Sequence, residues 1–85
     1  MASTQTKLLG PDGVTRRPED EQKINELAAA TFKGKGAQEF LRYLRSITIE
    51  AVGGPQITDA ELRHREGMRY LVGIIEQRID KGKQQ

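Results

Sequence analysis

"TDAELRHREGMRYLVGIIEQRIDKG", Thr58 to Gly82, is the longest periodic stretch of the chain. Thr58 followed three residues later by Glu61 is the pattern of a capping box, in which the hydroxyl accepts from the Glu61 N–H and the carboxylate reaches back. From there Leu62, Met68, Leu71, Val72, Ile75 and Ile79 recur at helical spacing. This predicts one helix from Thr58 to about Lys81 that ends before Gly82. Gly67 and Gly73 lie inside it, and each costs up to about 1 kcal/mol relative to alanine. They are either tolerated or, at Gly67, a place where another backbone comes close.

Working outward, "VGGPQ" at Val52–Gln56 breaks the chain before this helix. A second helix is expected from about Ala37 to Ile49, with Phe40, Leu41, Leu44 and Ile47 as its apolar stripe. Gly34 and Gly36 separate it from a first helix that opens at Pro18. Glu19, Asp20 and Glu21 follow and oppose the helix dipole favourably, and Ile24, Leu27, Ala28 and Phe32 form the apolar face. The fold class is therefore all-α: an extended, flexible N-terminal arm over residues 1–17, a three-helix domain over 18–82 with a long third helix, and a short tail over 83–85. Helices 1 and 2 are expected as an antiparallel pair with helix 3 across both. The packing set is Phe32, Phe40, Leu41, Leu44, Gly67, Met68, Leu71, Val72, Ile75 and Ile79. Helix 3 outruns its companions, so part of its stripe needs a partner outside the chain.

The arm raises its own question. In "TKLLGPDGVTRRP", Gly10-Pro11-Asp12-Gly13 has the residues of a type I turn. Leu8, Leu9 and Val14 flank it, and Arg16 and Arg17 follow. Leucines gain nothing in a solvated arm, so Leu8, Leu9 and Val14 are expected to dock on another protein, with Arg16 and Arg17 pairing with that partner's acidic rim.

Composition narrows the function classes. The 85 residues are 35% hydrophobic and 31% charged, with no cysteine. That is lean for a chain whose single core must carry it, since small scaffolds often rely on disulfides, metals or self-association. Disulfides and thiolate metal sites are excluded. No run of about 18 apolar residues suits a membrane span, and no apolar h-region marks a secretory signal. Fourteen basic and twelve acidic residues leave a net charge of only +2.

No catalytic constellation is visible, and a non-enzyme is expected. His64 is the single histidine. Glu61-x-x-His64 has the spacing of a carboxylate-bundle metal motif, but the companion glutamates are lacking, so neither metal nor cofactor is expected. Gly34-Lys35-Gly36 lacks the rest of a phosphate loop. The alternative class is a small nucleic-acid-binding regulator with Arg63, Arg65 and Arg69 as its basic face, but Glu66 and Glu76 interrupt that face, and mixed charge more often marks a solvated surface.

"FKGKGAQEFLRYLRSIT" and "LRHREGMRYLVGIIEQRI" together resemble a family of small tailed-bacteriophage proteins encoded among the head and portal genes of short-tailed phages. The matching positions are Phe32, Gly36, Leu41, Leu44, Glu66, Gly67, Arg69, Leu71, Val72 and Ile75, within Ile24 to Ile79; the arm lies outside. The resemblance implies a virion component, or a factor that builds one, working through protein–protein contacts with the portal or a neighbouring head or tail protein, in multiple copies. It implies no catalytic residues.

Overall fold

The computed structural model describes residues 6–84. Its order is β1 (Leu8–Leu9), β2 (Thr15–Arg16), α1 (Pro18–Thr31), α2 (Lys35–Ile47) and α3 (Asp59–Lys83). Three helices with a long third are as expected. The two-stranded hairpin is not: the stretch read as a flexible arm folds back on itself from residue 8 onward. Leu8 pairs with Arg16 and Leu9 with Thr15 in antiparallel register. The turn between them forms where its residues predicted. The Gly13 N–H donates to the Gly10 carbonyl at 3.0 Å and the Gly10 N–H to the Val14 carbonyl at 2.9 Å. Gly13 has φ +82°, a left-handed conformation that glycine adopts without steric cost.

The helices start where the local chemistry directs. Pro18 is the first residue of α1, ahead of Glu19, Asp20 and Glu21. The Thr58 hydroxyl accepts from the Glu61 N–H at 3.1 Å; the return bond from the Glu61 carboxylate is not among those formed. α2 begins at Lys35 and ends at Ile47, two residues earlier at each end than the apolar pattern predicts. Thr48 closes it, its hydroxyl donating to the Leu44 carbonyl at 2.7 Å. The β-branched Ile47-Thr48-Ile49 run therefore ends the helix instead of extending it.

α3 runs through Gly82 to Lys83, because this glycine is used for packing. A Cβ at Gly82 would collide with the Asn25 carbonyl oxygen and lie 2.7 Å from the Ala29 Cβ. The close approach anticipated at Gly67 occurs here; a Cβ at Gly67 would meet nothing within 4 Å. Glu21 meets Arg78 and Asn25 meets Gly82, so α1 and α3 run parallel, with Pro18 level with about Ile75. α2 returns antiparallel, Arg45 meeting Glu76 and Thr48 meeting Arg69. α1 and α2 scarcely touch; α1 packs closely on α3, whereas α2 meets α3 chiefly through the long side chains of Arg45 and Arg69. The expected pair of helices 1 and 2 is thus replaced by the pair α1–α3.

The consequence is a single layer. The molecule measures 59 × 33 × 13 Å, and the least dimension is about one helix diameter. Its radius of gyration is 16.1 Å, against about 12 Å for a compact chain of this length. Among the described residues Val72 and Ile79 are the buried hydrophobic ones, and Glu21, Asn25, Thr48 and Arg78 are buried too. The α1 face on α3 is therefore Glu21, Asn25 and Ala29 and not the apolar set read from its spacing; Leu27 is 58% exposed. Of the expected packing set, Phe32, Leu41, Leu44, Met68 and Ile75 are half-buried. Phe40 and Leu71 are each 59% exposed. Leu71 stands free because α1 does not reach its level.

Candidate functional site

Two surfaces stand out, and the first is the hairpin. It is held by a chain of ionic contacts. The Arg16 guanidinium donates to both Asp12 carboxylate oxygens, at 2.7 and 3.2 Å, and to Glu21 Oε2 at 2.7 Å. Glu21 receives Arg78 at 2.5 Å on its other oxygen, and Arg78 also donates to Asn25 Oδ1 at 2.9 Å. Gly10 lies against this cluster: a Cβ there would stand 2.9 Å from Asp12 and Glu21 oxygens and 3.0 Å from Arg78. At the turn, the Tyr70 hydroxyl donates to the Pro11 carbonyl at 2.8 Å. Arg16 is thus committed within the chain, whereas Arg17 makes only an exposed ion pair with Asp20 at 3.1 Å and keeps its charge accessible. Leu9 points away from the anchored side and is 69% exposed, whereas Leu8, opposite Arg16 in the register, and Val14 are about half-exposed.

The cluster sets carboxylate acidity. Asp12 is lowered to about 2, first by its bond from Arg16 and then by the Val14 N–H. Arg78 bonding, then Arg16 bonding, outweigh burial and hold Glu21 below its usual value. A carboxylate lowered on folding contributes stability above its unfolded pKa, near 4, and loses that contribution as pH falls through the folded value. Hairpin anchoring is therefore expected to be complete at neutral pH and to weaken from about pH 4 towards pH 2, measured as a falling urea midpoint and as loss of the Tyr70–Pro11 contact by NMR.

The second surface is one broad side of the layer. On α2, Gln38, Leu41, Arg45 and Thr48 turn to α3, and Leu44, Phe40 and Ile47 come next around the helix. With α1 parallel and α2 antiparallel to α3, the same sense brings Ile24 and Ala28 of α1 and Met68 and Ile75 of α3 to that side, while Leu71, in the stripe of Arg78 and Gly82, points along the layer into the lane of α1. An open groove of about 480 Å³ lies there, lined by Ile47, Ala60, Glu61, His64, Arg65 and Met68. Further towards the start of α2, Phe40 and Tyr43 have ring centroids 5.7 Å apart. The reverse side carries Arg42, Ser46, Glu66, Gln77 and Tyr70, so the hairpin that Tyr70 holds stands away from the apolar side.

The three arginines read as a basic face do not form one. Arg63 and Arg65 lie on nearly opposite sides of α3 at 100° per residue. Arg69 closes the end of α2, donating to the Thr48 carbonyl at 3.0 Å and to the Ala51 carbonyl, with Glu66 at 3.1 Å. Nothing in the pattern of charges foretold Arg78, Asn25 and Glu21 as a buried set. Their signal is the pairing of i,i+4 polar and small residues, Glu21/Asn25/Ala29 against Arg78/Gly82. Among the described residues no group of three or more metal-capable side chains comes together, and no helix is long and apolar enough to cross a membrane. Comparison with protein-family models, with curated proteins and with solved structures finds no match to this chain.

Proposed function

We propose that this chain is a non-enzymatic structural protein of a tailed-phage particle, acting in the portal and head region through protein–protein contacts. The observation that carries the contact role is the hairpin. Arg16, Glu21, Arg78 and Tyr70 fix it from one side; Leu9, on the face opposite Arg16, is left 69% exposed, while Leu8, paired with Arg16, and Val14 are about half-exposed. Apolar residues held rigid in solvent cost less entropy to dock than a mobile arm does. The resemblance of residues 24–79 to small head and portal proteins supplies the particle as the setting.

Leu9→Asp tests this. The residue is exposed, so far-UV circular dichroism and the urea midpoint are expected to match wild type within about 0.5 kcal/mol. Incorporation into particles, measured by immunoblot on gradient fractions at equal expression, is expected to fall about tenfold or more, since a charge would enter an apolar contact. Unchanged incorporation would remove the hairpin from the docking role.

A further inference from the structure

The three helices are not held alike. Glu21 and Asn25 of α1 and Val72, Arg78 and Ile79 of α3 are buried. Arg78 bonds Glu21 and Asn25 across that pair, and the two backbones approach closely at Gly82. No residue of α2 is buried. Two arginines clasp it to α3. Arg45 donates to both carboxylate oxygens of Glu76 at 2.7 Å, and Arg69 donates to the carbonyls of Thr48 and Ala51, just past the helix end. Between the two helices lies an open cavity of about 310 Å³, which Phe32, Leu41 and Ile79 line without filling. Packed protein interiors leave few such voids, so α2 is seated by its clasps and not by a core. We infer that α2 is a hinged strap: it releases from α3 and melts in a local opening, while α1, α3 and the hairpin stay folded together.

Segments that bury few apolar groups open below the free energy of global unfolding. Phe40 and Ile47 of the α2 stripe are already exposed in the closed form, so release forfeits little apolar burial. The Arg45–Glu76 pair is part-exposed, and such pairs hold weakly against water. Neither link obstructs the motion: a Cβ at Gly34, before α2, or at Gly54, after it, would meet nothing within 4 Å. Once released, a helix of 13 residues is marginal in water, so each opening exposes its amides to exchange. What remains is joined without α2, by Arg78 to Glu21 and Asn25 and by Tyr70 to Pro11. The hairpin's docking role is therefore independent of the strap. Opening uncovers Ile79, the buried hydrophobic residue that borders the cavity.

Native-state hydrogen exchange of the full chain, followed residue by residue by NMR, tests the inference. Amides of α2 are expected to be protected about 100-fold less than the slowest amides of α1 and α3. Arg69→Met removes the clasp at the end of α2 and is expected to lower α2 protection about tenfold further, with α1 unchanged. Gly82→Ala loosens α1 from α3 and is expected to do the reverse. It should lower the slowest protection in α1 and α3 about 30-fold and leave that of α2 as it was. Uniform protection across the three helices, an Arg69→Met effect shared equally by α1, or a loss in α2 that follows α1 and α3 in Gly82→Ala would each overturn the inference, because α2 would then belong to one cooperative unit.

Discussion

Arg78→Ala is expected to destabilise the fold by about 3 kcal/mol, the largest effect of any single truncation. Arg78 is 4% and Glu21 6% exposed, and their contact at 2.5 Å is supplemented by Arg16 and Asn25. Removing one partner of a buried pair leaves the other charge desolvated, at a cost of about 3–5 kcal/mol. The lower end applies because the layer is 13 Å thick and water is close to every part of it. The hairpin should loosen with it, since Gly10 rests on the Arg78 guanidinium. The joint replacement Glu21→Leu with Arg78→Met should recover more than half of that loss, because no orphaned charge remains. Urea unfolding at neutral pH measures both. A loss below about 1 kcal/mol for Arg78→Ala would mean that the pair behaves as a surface ion pair.

Gly82→Ala is expected to cost about 2 kcal/mol although alanine is the better helix former by up to about 1 kcal/mol. The added methyl meets the Asn25 carbonyl and Ala29, both on α1, so the two helices must separate and stretch the Arg78–Glu21–Asn25 contacts beside it. Gly67→Ala provides the comparison. Nothing lies within 4 Å of its Cβ position, and it is expected to stabilise by up to about 1 kcal/mol. Opposite signs in thermal or urea unfolding distinguish a packing glycine from a tolerated one in the same helix; equal gains would show that α1 and α3 do not approach closely.

These two residues also mark where the sequence was legible and where it was not. Elements governed by local chemistry could be read directly: Pro18 opens α1, Thr58 caps α3, and Gly10-Pro11-Asp12-Gly13 turns. The stripe of α3 gave its length, and that length foretold that part of the stripe would lack a companion within the chain. Two failures have a common cause. The apolar spacing of Ile24, Leu27 and Phe32 pointed to one face of α1, but the contact with α3 uses Glu21, Asn25 and Ala29. Gly82 read as a stop because a glycine after a periodic run usually is one; close approach across two helices is a tertiary demand that one helix does not display. The hairpin within the arm was hidden for the same reason. Arg16 finds Glu21 on α1, and Glu21 finds Arg78 fifty-seven residues away. Such a pairing is invisible to any local window, and without it a polar leader with two leucines reads as flexible. A docking role for Leu9 rested on exposure, which the hairpin preserves most fully; that for Arg16 rested on free charge, which its bonds to Asp12 and Glu21 remove.

The central claim is that this chain works as a component of a phage particle, and its copy number in the particle tests it most directly. Under the proposed role, quantitative mass spectrometry on gradient-purified particles of a phage carrying this sequence, scaled to the portal and major capsid proteins, is expected to find the chain at a stoichiometry near that of the portal. Its absence from particles, with the protein present in the infected cell, would contradict the account.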